Sequence, residues 1–317
     1  MVYLLICAVL FFLSLKGVCG KKTSILVRDT GDTFLFNLLR MLFCIAIGAF
    51  LVLQEGVANA LAVEWGMLVI CLLSGIANAA FLVGWILAVR QSRMVTIDVT
   101  LTLGSLLPAL LCAALFGESI SAQKMIGFAL IVLASVILAG KGEKSGKGGG
   151  LGSLLLPLTA ALGDGLTSFC QQLYKHFYTE GGSRTHGVFY PKSIFHFYTY
   201  VFASLTLLAV FVVYTIAVRA KAAPEEKPRL SRHLTPLRQA VPYILIMAIC
   251  LFLGNYLQTV VANDYAFPSQ VLYPVIKGGT LITVNITAMI FFGERITRRS
   301  ALGSLVALGG IIVMNLL

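Results

Sequence analysis

Long apolar runs separated by short polar segments dominate the pattern along this chain. A helix needs about 20 mainly apolar residues to cross a bilayer, and the runs are close to that length. No segment alternates polar and apolar residues as a strand would, and irregular backbone is costly in lipid. The pattern therefore predicts an all-α integral membrane protein with ten transmembrane helices, at 1–19, 33–53, 65–89, 94–116, 123–140, 151–174, 193–218, 238–261, 268–292 and 299–317.

Two polar segments stand out between these runs. Residues 141–150 are rich in glycine and lysine, which is typical of a linker, and they separate a first half, 1–140, from a second half, 151–317. Each half contains five predicted helices. The longest remaining loop, 219–238, combines three prolines with many charges and predicts an exposed connection without regular structure.

A short motif occurs once in each half. It reads FGESIS at 116–121 and FGERIT at 292–297, and in each copy a glycine, Gly127 or Gly303, lies nine residues after the glutamate. A repeat of this kind indicates duplicated halves, which are typical of secondary transporters. Because each half has an odd number of helices, the two halves would cross the membrane in opposite directions. We therefore expect two inverted five-helix repeats.

The repeated motif has a structural interpretation and a functional one. Gly117 and Gly293 follow apolar helices, where glycine readily adopts the left-handed conformation that ends a helix. Glu118 and Glu294 come just before the next helix, where a negative charge complements the helix dipole. The motif thus favours a tight turn at the membrane surface. Participation of these glutamates in proton coupling is the alternative.

Composition and charge narrow the function further. Hydrophobic residues make up 58% of the chain and charged residues 12%, far from the balance of soluble domains. The net charge of +11 comes from lysines and arginines in short loops, which indicates contact with lipid headgroups rather than with nucleic acid. The seven cysteines form no C-x-x-C pair, so we expect neither a zinc site nor a disulfide framework. We expect no cofactor.

The same charges predict an orientation. Most of the 24 lysines and arginines fall in the loops that follow helices 1, 3, 5, 7 and 9. Under the positive-inside rule these loops are cytoplasmic, so both termini would lie on the opposite side. We expect a multi-pass protein of the plasma membrane.

The chain resembles the EamA-like branch of the drug/metabolite transporter superfamily. The resemblance rests on the doubled F-G-E-x-I-[ST] motif, on Lys21 or Lys22 after helix 1, on Arg40 in helix 2, and on the sequence SQVLYP at 269–274, where helix 9 opens. It extends over nearly the whole chain. It implies transport of a small metabolite or drug-like solute through ten helices, and it implies cytoplasmic termini, opposite to the charge distribution.

Polar residues within the apolar runs are the candidates for a substrate pathway, because such groups usually face a cavity or a partner helix. These residues are Asn78, Asp98, Asp164, Gln171, Asn255, Gln258, Tyr273, Lys277 and Asn285.

Lys277 is the most specific of these candidates. Pro274 and two glycines surround it, as in the broken helices that line transporter sites. It would bind an anionic solute or release a proton; the alternative is a lysine whose ammonium reaches the membrane surface. Asp98 would act as its partner or lie at the interface. Asn78 and Asn255 are separated by nearly the motif's offset, so they would line a cavity or hold each half together.

Aromatic residues cluster at the end of helix 6 and the start of helix 7, where they predict an interfacial belt. Neither histidine of this cluster, His176 or His196, has the spacing of a metal site. The leading hypothesis is a secondary transporter working by alternating access, with a small-molecule substrate, a coupled proton or counter-substrate, and the lipid bilayer as partners; a homodimer is compatible with it. An integral-membrane enzyme and a non-transporting scaffold are the alternatives. Paired carboxylates or a nucleophile–base pair would mark an enzyme, and the sequence contains neither.

Overall fold

The computed structural model of this protein describes residues 1–56, 61–91, 97, 100–102, 104–118, 120–139, 151–180, 182, 187–221, 231–265, 267–293 and 298–315. The predicted all-helical class is confirmed. Within these residues there is no strand, and ten helices occur in chain order: α1 Val2–Leu26, α2 Thr30–Glu55, α3 Trp65–Gln91, α4 Leu106–Phe116, α5 Ala122–Ala139, α6 Leu151–Tyr178, α7 Lys192–Lys221, α8 Ser231–Asp264, α9 Ser269–Phe292 and α10 Arg298–Asn315.

Six of the helices are long and apolar enough to cross a membrane over their described residues, namely α1, α2, α3, α7, α8 and α9. Large apolar side chains such as Phe50, Val213 and Leu305 lie exposed on the outside of the bundle, as expected of surfaces that lipid covers. The protein is therefore a multi-pass membrane protein. The predicted linker, 141–150, lies outside the described residues.

Helices α1 and α8 extend the farthest beyond their predicted limits. Helix α1 continues to Leu26, so Lys21 and Lys22 belong to the helix and not to the loop after it. Their ammonium groups lie 5.0 Å from the ring centre of Phe292 and 5.9 Å from that of Tyr243, contacts that hydropathy does not reveal. Helix α8 begins at Ser231, so the prediction of an irregular loop is wrong for residues 231–238.

The helices pack mainly in pairs from different halves of the chain. The most extensive contacts join α3 to α6, α1 to α8, α5 to α10 and α2 to α7. Further contacts join α3 to α7 and α2 to α8, so α3 and α8 each pack against several neighbours. The two halves are interleaved and do not form separate five-helix bodies.

Glycines allow the closest of these approaches. A Cβ atom at Gly163 of α6 would lie 2.5 Å from the carbonyl oxygen of Ala77 in α3. A Cβ atom at Gly310 of α10 would lie 2.7 Å from the carbonyl oxygen of Gly127 in α5. Small residues at such crossings let helix backbones meet, which is how membrane helices gain packing energy without a hydrophobic driving force.

The repeated motif ends a helix in both halves. Gly117 and Gly293 have φ angles of 68° and 63°, in the left-handed region that glycine tolerates. Their N–H groups donate to Ala113 and Met289, each four residues earlier, and so close the last turn of α4 and of α9. Glu294 lies outside the described residues.

The prediction of an interfacial aromatic belt is wrong for the members that are buried inside the bundle. Tyr174, Tyr190 and Phe195 are buried in one cluster where α3, α6 and α7 meet. The rings of Tyr174 and Phe195 stack with centres 4.9 Å apart, and the Tyr174 hydroxyl donates to the carbonyl of Tyr190 at 2.6 Å. The residues share the composition of a belt, but their helix faces point into the bundle.

Candidate functional site

An ion pair lies deep within the helix bundle. The Nζ atom of Lys277 in α9 is 2.5 Å from Oδ2 of Asp164, which lies halfway along α6. The two side chains are only 14% and 15% exposed. Each charge offsets the cost of burying the other, which would be several kcal/mol for an ion alone. This geometry excludes a Lys277 side chain that reaches the membrane surface.

The ion pair borders two small adjacent hollows, which together we call the central cavity. The volume of one hollow is about 20 Å³, and that of the other is about 30 Å³. Each volume holds only one or two water molecules. Helices α1, α3, α6, α8 and α9 surround the cavity. In this conformation the central cavity has no room for a metabolite.

Six of the residues predicted to form a substrate pathway line the central cavity: Asn78, Asp164, Gln171, Asn255, Gln258 and Lys277. They come from four helices that are distant in the sequence. Asp98 lies outside the described residues, and so does the side chain of Asn285.

Tyr273, the remaining predicted residue, is hydrogen-bonded to residues that line the central cavity. Its hydroxyl donates to the carbonyl of Ser168 at 2.9 Å and accepts from Nε2 of Gln172 at 2.9 Å. Nearby, Nε2 of Gln258 donates to Oε1 of Gln171 at 2.8 Å. We call Gln171, Gln172, Gln258 and Tyr273 the amide–tyrosine cluster. It joins α6, α8 and α9 through hydrogen bonds that can break and re-form.

A second polar cluster lies farther out, at the repeated motif. Oε2 of Glu118 accepts from Oγ of Ser269 at 2.5 Å and from Nε2 of Gln270 at 2.8 Å. Its Oε1 lies 3.4 Å from Nε2 of His176, whose ring stacks on Phe116 at 3.8 Å. We call Glu118, His176, Ser269 and Gln270 the corner cluster. It ties the turn after α4 to the end of α6 and the start of α9.

The electrostatics of the corner cluster favour an ionised glutamate. Burial by itself raises the pKa of the Glu118 carboxyl. Hydrogen bonds from His176 and Ser269, with the charges of His176 and Lys175, outweigh that effect and bring the pKa below its ordinary value. Glu118 therefore acts as a fixed negative acceptor at neutral pH. This geometry accounts for the first copy of the motif as a helix junction.

Lys16 is a cavity residue that the sequence analysis missed. It is buried in α1, with its ammonium 5.1 Å from the ring centre of Phe81 and 6.0 Å from that of Trp85. Thr167 and Ser168 of α6 line the same cavity. The signal for Lys16 was present, since a basic residue inside an apolar run calls for a partner in the bundle.

Arg40 is buried without a carboxylate partner among the described residues. Its Nη2 donates to Oδ1 of Asn37 at 2.5 Å, and Asn37 in turn donates to the carbonyl of Leu82. This chain of hydrogen bonds joins α2 to α3, one of the helices that surround the cavity. Within the described part of the chain, no group of three histidine, cysteine or acidic side chains is arranged to hold a metal ion.

Comparisons with known proteins bear on the fold alone. No protein-family model matches the chain, and no curated protein matches its sequence. Solved structures do match it. One of them, described as "Crystal structure of protein", is similar with a TM-score of 0.63 and 16% sequence identity, over 99% of this chain and 96% of that chain. The helical arrangement described above thus recurs, over nearly its full length, in a solved protein.

Proposed function

We propose that this protein is a secondary transporter that moves a small organic solute across the membrane by alternating access. The observation that carries the proposal is the central cavity, which holds an ion pair at membrane depth. Ionisable residues in such a position are costly and usually serve a solute or ion pathway. We further propose that the membrane is the plasma membrane and that the chain is an EamA-like member of the drug/metabolite transporter superfamily.

We infer that residues 1–140 and 151–317 form two inverted repeats. The packing supports this inference, because exchanging each helix for the one five places along preserves the six most extensive contact pairs. The pair α1–α8 becomes α6–α3, and the pair α2–α8 becomes α7–α3. The pairs α2–α7 and α5–α10 become themselves, as expected for helices around a two-fold axis. Inverted repeats let one half rock against the other around a fixed site.

The present conformation corresponds, on this proposal, to an occluded state. The amide–tyrosine cluster and the corner cluster close the side where α9 begins. On the opposite side Trp85 packs tightly against Gly20 of α1. Solute reaches the cavity only when one of these closures separates.

The ion pair supplies the proposed recognition step. A solute anion would compete with Asp164 for Lys277, or a proton would neutralise Asp164 and release the ammonium. Either event removes the attraction that holds α6 to α9 and so links occupancy of the site to helix movement.

Solute flux tests the proposal. Metabolites that raise the unfolding temperature of the purified protein identify the solute, and its uptake is then measured in reconstituted vesicles. Lys277→Ala should abolish uptake while the protein remains folded, as judged by circular dichroism and gel filtration. Lys192→Ala is the matched control, because Lys192 pairs with Asp264 at 2.7 Å near the ends of their helices. Uptake by Lys277→Ala at the wild-type rate would contradict the proposed role of the ion pair.

A further inference from the structure

A large hollow of the described structure lies outside the central cavity, between α4 and α5. Its volume is about 460 Å³. This is more than ten times the space in either part of the central cavity. The hollow opens sideways from the bundle, and we call it the lateral groove.

The lateral groove exists because two consecutive helices pack on different partners. Helix α4 contacts α6 and α9, whereas α5 lies along α10. The close contact of Gly127 with Gly310 draws α5 onto α10 and away from α4. The outer faces of α4 and α5 therefore stay uncovered, and Leu110, Met125 and Val136 are 55%, 58% and 64% exposed.

Polar side chains line only one end of the groove. Its lining is apolar except for Lys124 and Gln270. Lys124 is the third residue of α5, so its ammonium lies beside the helix N-terminus, where the macrodipole favours an anion. The ammonium donates to Oε1 of Gln270 at 3.0 Å, and an ammonium carries three donor protons.

We propose that the lateral groove binds an anionic phospholipid, with one acyl chain along α4 and α5 and the phosphate at Lys124. The groove faces the bilayer, which supplies acyl chains at high local concentration. From Lys124 to Val136, α5 rises about 18 Å, at about 1.5 Å per residue. That length matches one leaflet, since the hydrocarbon core is about 30 Å thick. A charged end and a long apolar body on one surface fit a lipid better than they fit a soluble solute.

The lipid phosphate would lie next to the corner cluster. Gln270 uses its oxygen to accept from Lys124 and its nitrogen to donate to Glu118. If a phosphate draws Lys124 away, the Gln270 oxygen loses this hydrogen bond. The Gln270 side chain, which also bonds to Glu118, is then less firmly held, and the contact between α4 and α9 changes with it. The proposed lipid site itself depends only on the groove and Lys124, and it does not require that the protein transports a solute.

Native mass spectrometry of the purified full-length protein tests the site. Phosphatidylglycerol and phosphatidylcholine with the same acyl chains are added in turn, and retained lipid is counted. The wild type should retain phosphatidylglycerol preferentially. Lys124→Gln should reduce that preference about fivefold, which corresponds to the roughly 1 kcal/mol that one lysine contributes at an anionic membrane surface. Lys192→Gln should leave it unchanged, because Lys192 does not line the groove.

A second variant separates the acyl chain from the headgroup. Ala129→Trp places a large ring in the groove and should lower retention of both lipids. Leu305→Trp is its control, because Leu305 is 65% exposed on α10 and does not line the groove. Equal retention of the two lipids by the wild type would overturn the proposal. An unchanged preference in Lys124→Gln, or unchanged retention in Ala129→Trp, would overturn it as well.

Discussion

Removing one partner of the central ion pair should destabilise the protein more than removing both. Lys277→Met keeps an unbranched side chain of similar length but leaves the Asp164 carboxylate buried, with its own side chain only 15% exposed. Breaking a buried pair in this way costs about 3–5 kcal/mol, whereas replacing both charges with neutral groups is often close to neutral. The double variant Lys277→Met, Asp164→Asn should therefore recover most of the loss. The expected coupling free energy is about 2–3 kcal/mol.

A double-mutant cycle measures this coupling. The unfolding free energies of the wild type, the two single variants and the double variant are determined by titrating detergent-solubilised protein with a denaturing detergent. The matched cycle uses Lys192 and Asp264, whose side chains are 23% and 47% exposed, and it should yield less than about 1 kcal/mol. Additive effects of the Lys277 and Asp164 variants, within about 0.5 kcal/mol, would refute the stabilising role of the pair.

Three further predictions concern the corner, the helix crossing and the cavity closure. Because the pKa of Glu118 lies below its ordinary value, its contribution to stability is complete above that ordinary value and is lost as the pH falls through the lowered pKa. Glu118→Gln should thus flatten the acid side of a plot of unfolding temperature against pH; an unchanged curve would contradict this. Gly163→Val should prevent folded expression, because a Cβ atom at that position would lie 2.5 Å from the Ala77 carbonyl oxygen. Gly309→Val is the control and should express normally, because no atom lies within 4 Å of a Cβ atom there. Fluorescence-detected gel filtration measures both variants. Tyr273→Phe should lower the unfolding free energy by about 1–3 kcal/mol, since the amide of Gln172 loses its acceptor, and an equally stable variant would argue against the cluster as a closure.

The local pattern of the sequence was sufficient for the helices themselves. Apolar runs of bilayer length predicted an all-helical chain because lipid offers no partner for an unpaired backbone group. The twice-repeated Phe-Gly-Glu predicted where α4 and α9 end, because glycine alone enters the left-handed region at little cost. Hydropathy did not give the true ends of α1 and α8. At the end of α1, Lys21 and Lys22 are helical, and their ammonium groups lie over rings of other helices.

Polarity within apolar runs also identified the cavity residues, for a reason that needs no structure: buried charge is too costly to be incidental. The sequence did not show which of these residues contact one another. Asp98 was considered as the partner of Lys277, but the ammonium meets Asp164, and Lys16 enters the same cavity from the opposite end of the chain.

What the sequence by itself determined, then, is that this chain crosses the membrane many times, ends its helices at particular glycines and carries polar groups at membrane depth. Only the tertiary structure decided which of those groups meet. The lateral groove arose in the same way, because α4 and α5 look like an ordinary helical pair until α5 is seen packed on α10. The physical reason is that hydropathy and turn chemistry act within one helix, whereas ion pairs, closures and grooves depend on which helix faces the crossings bring together.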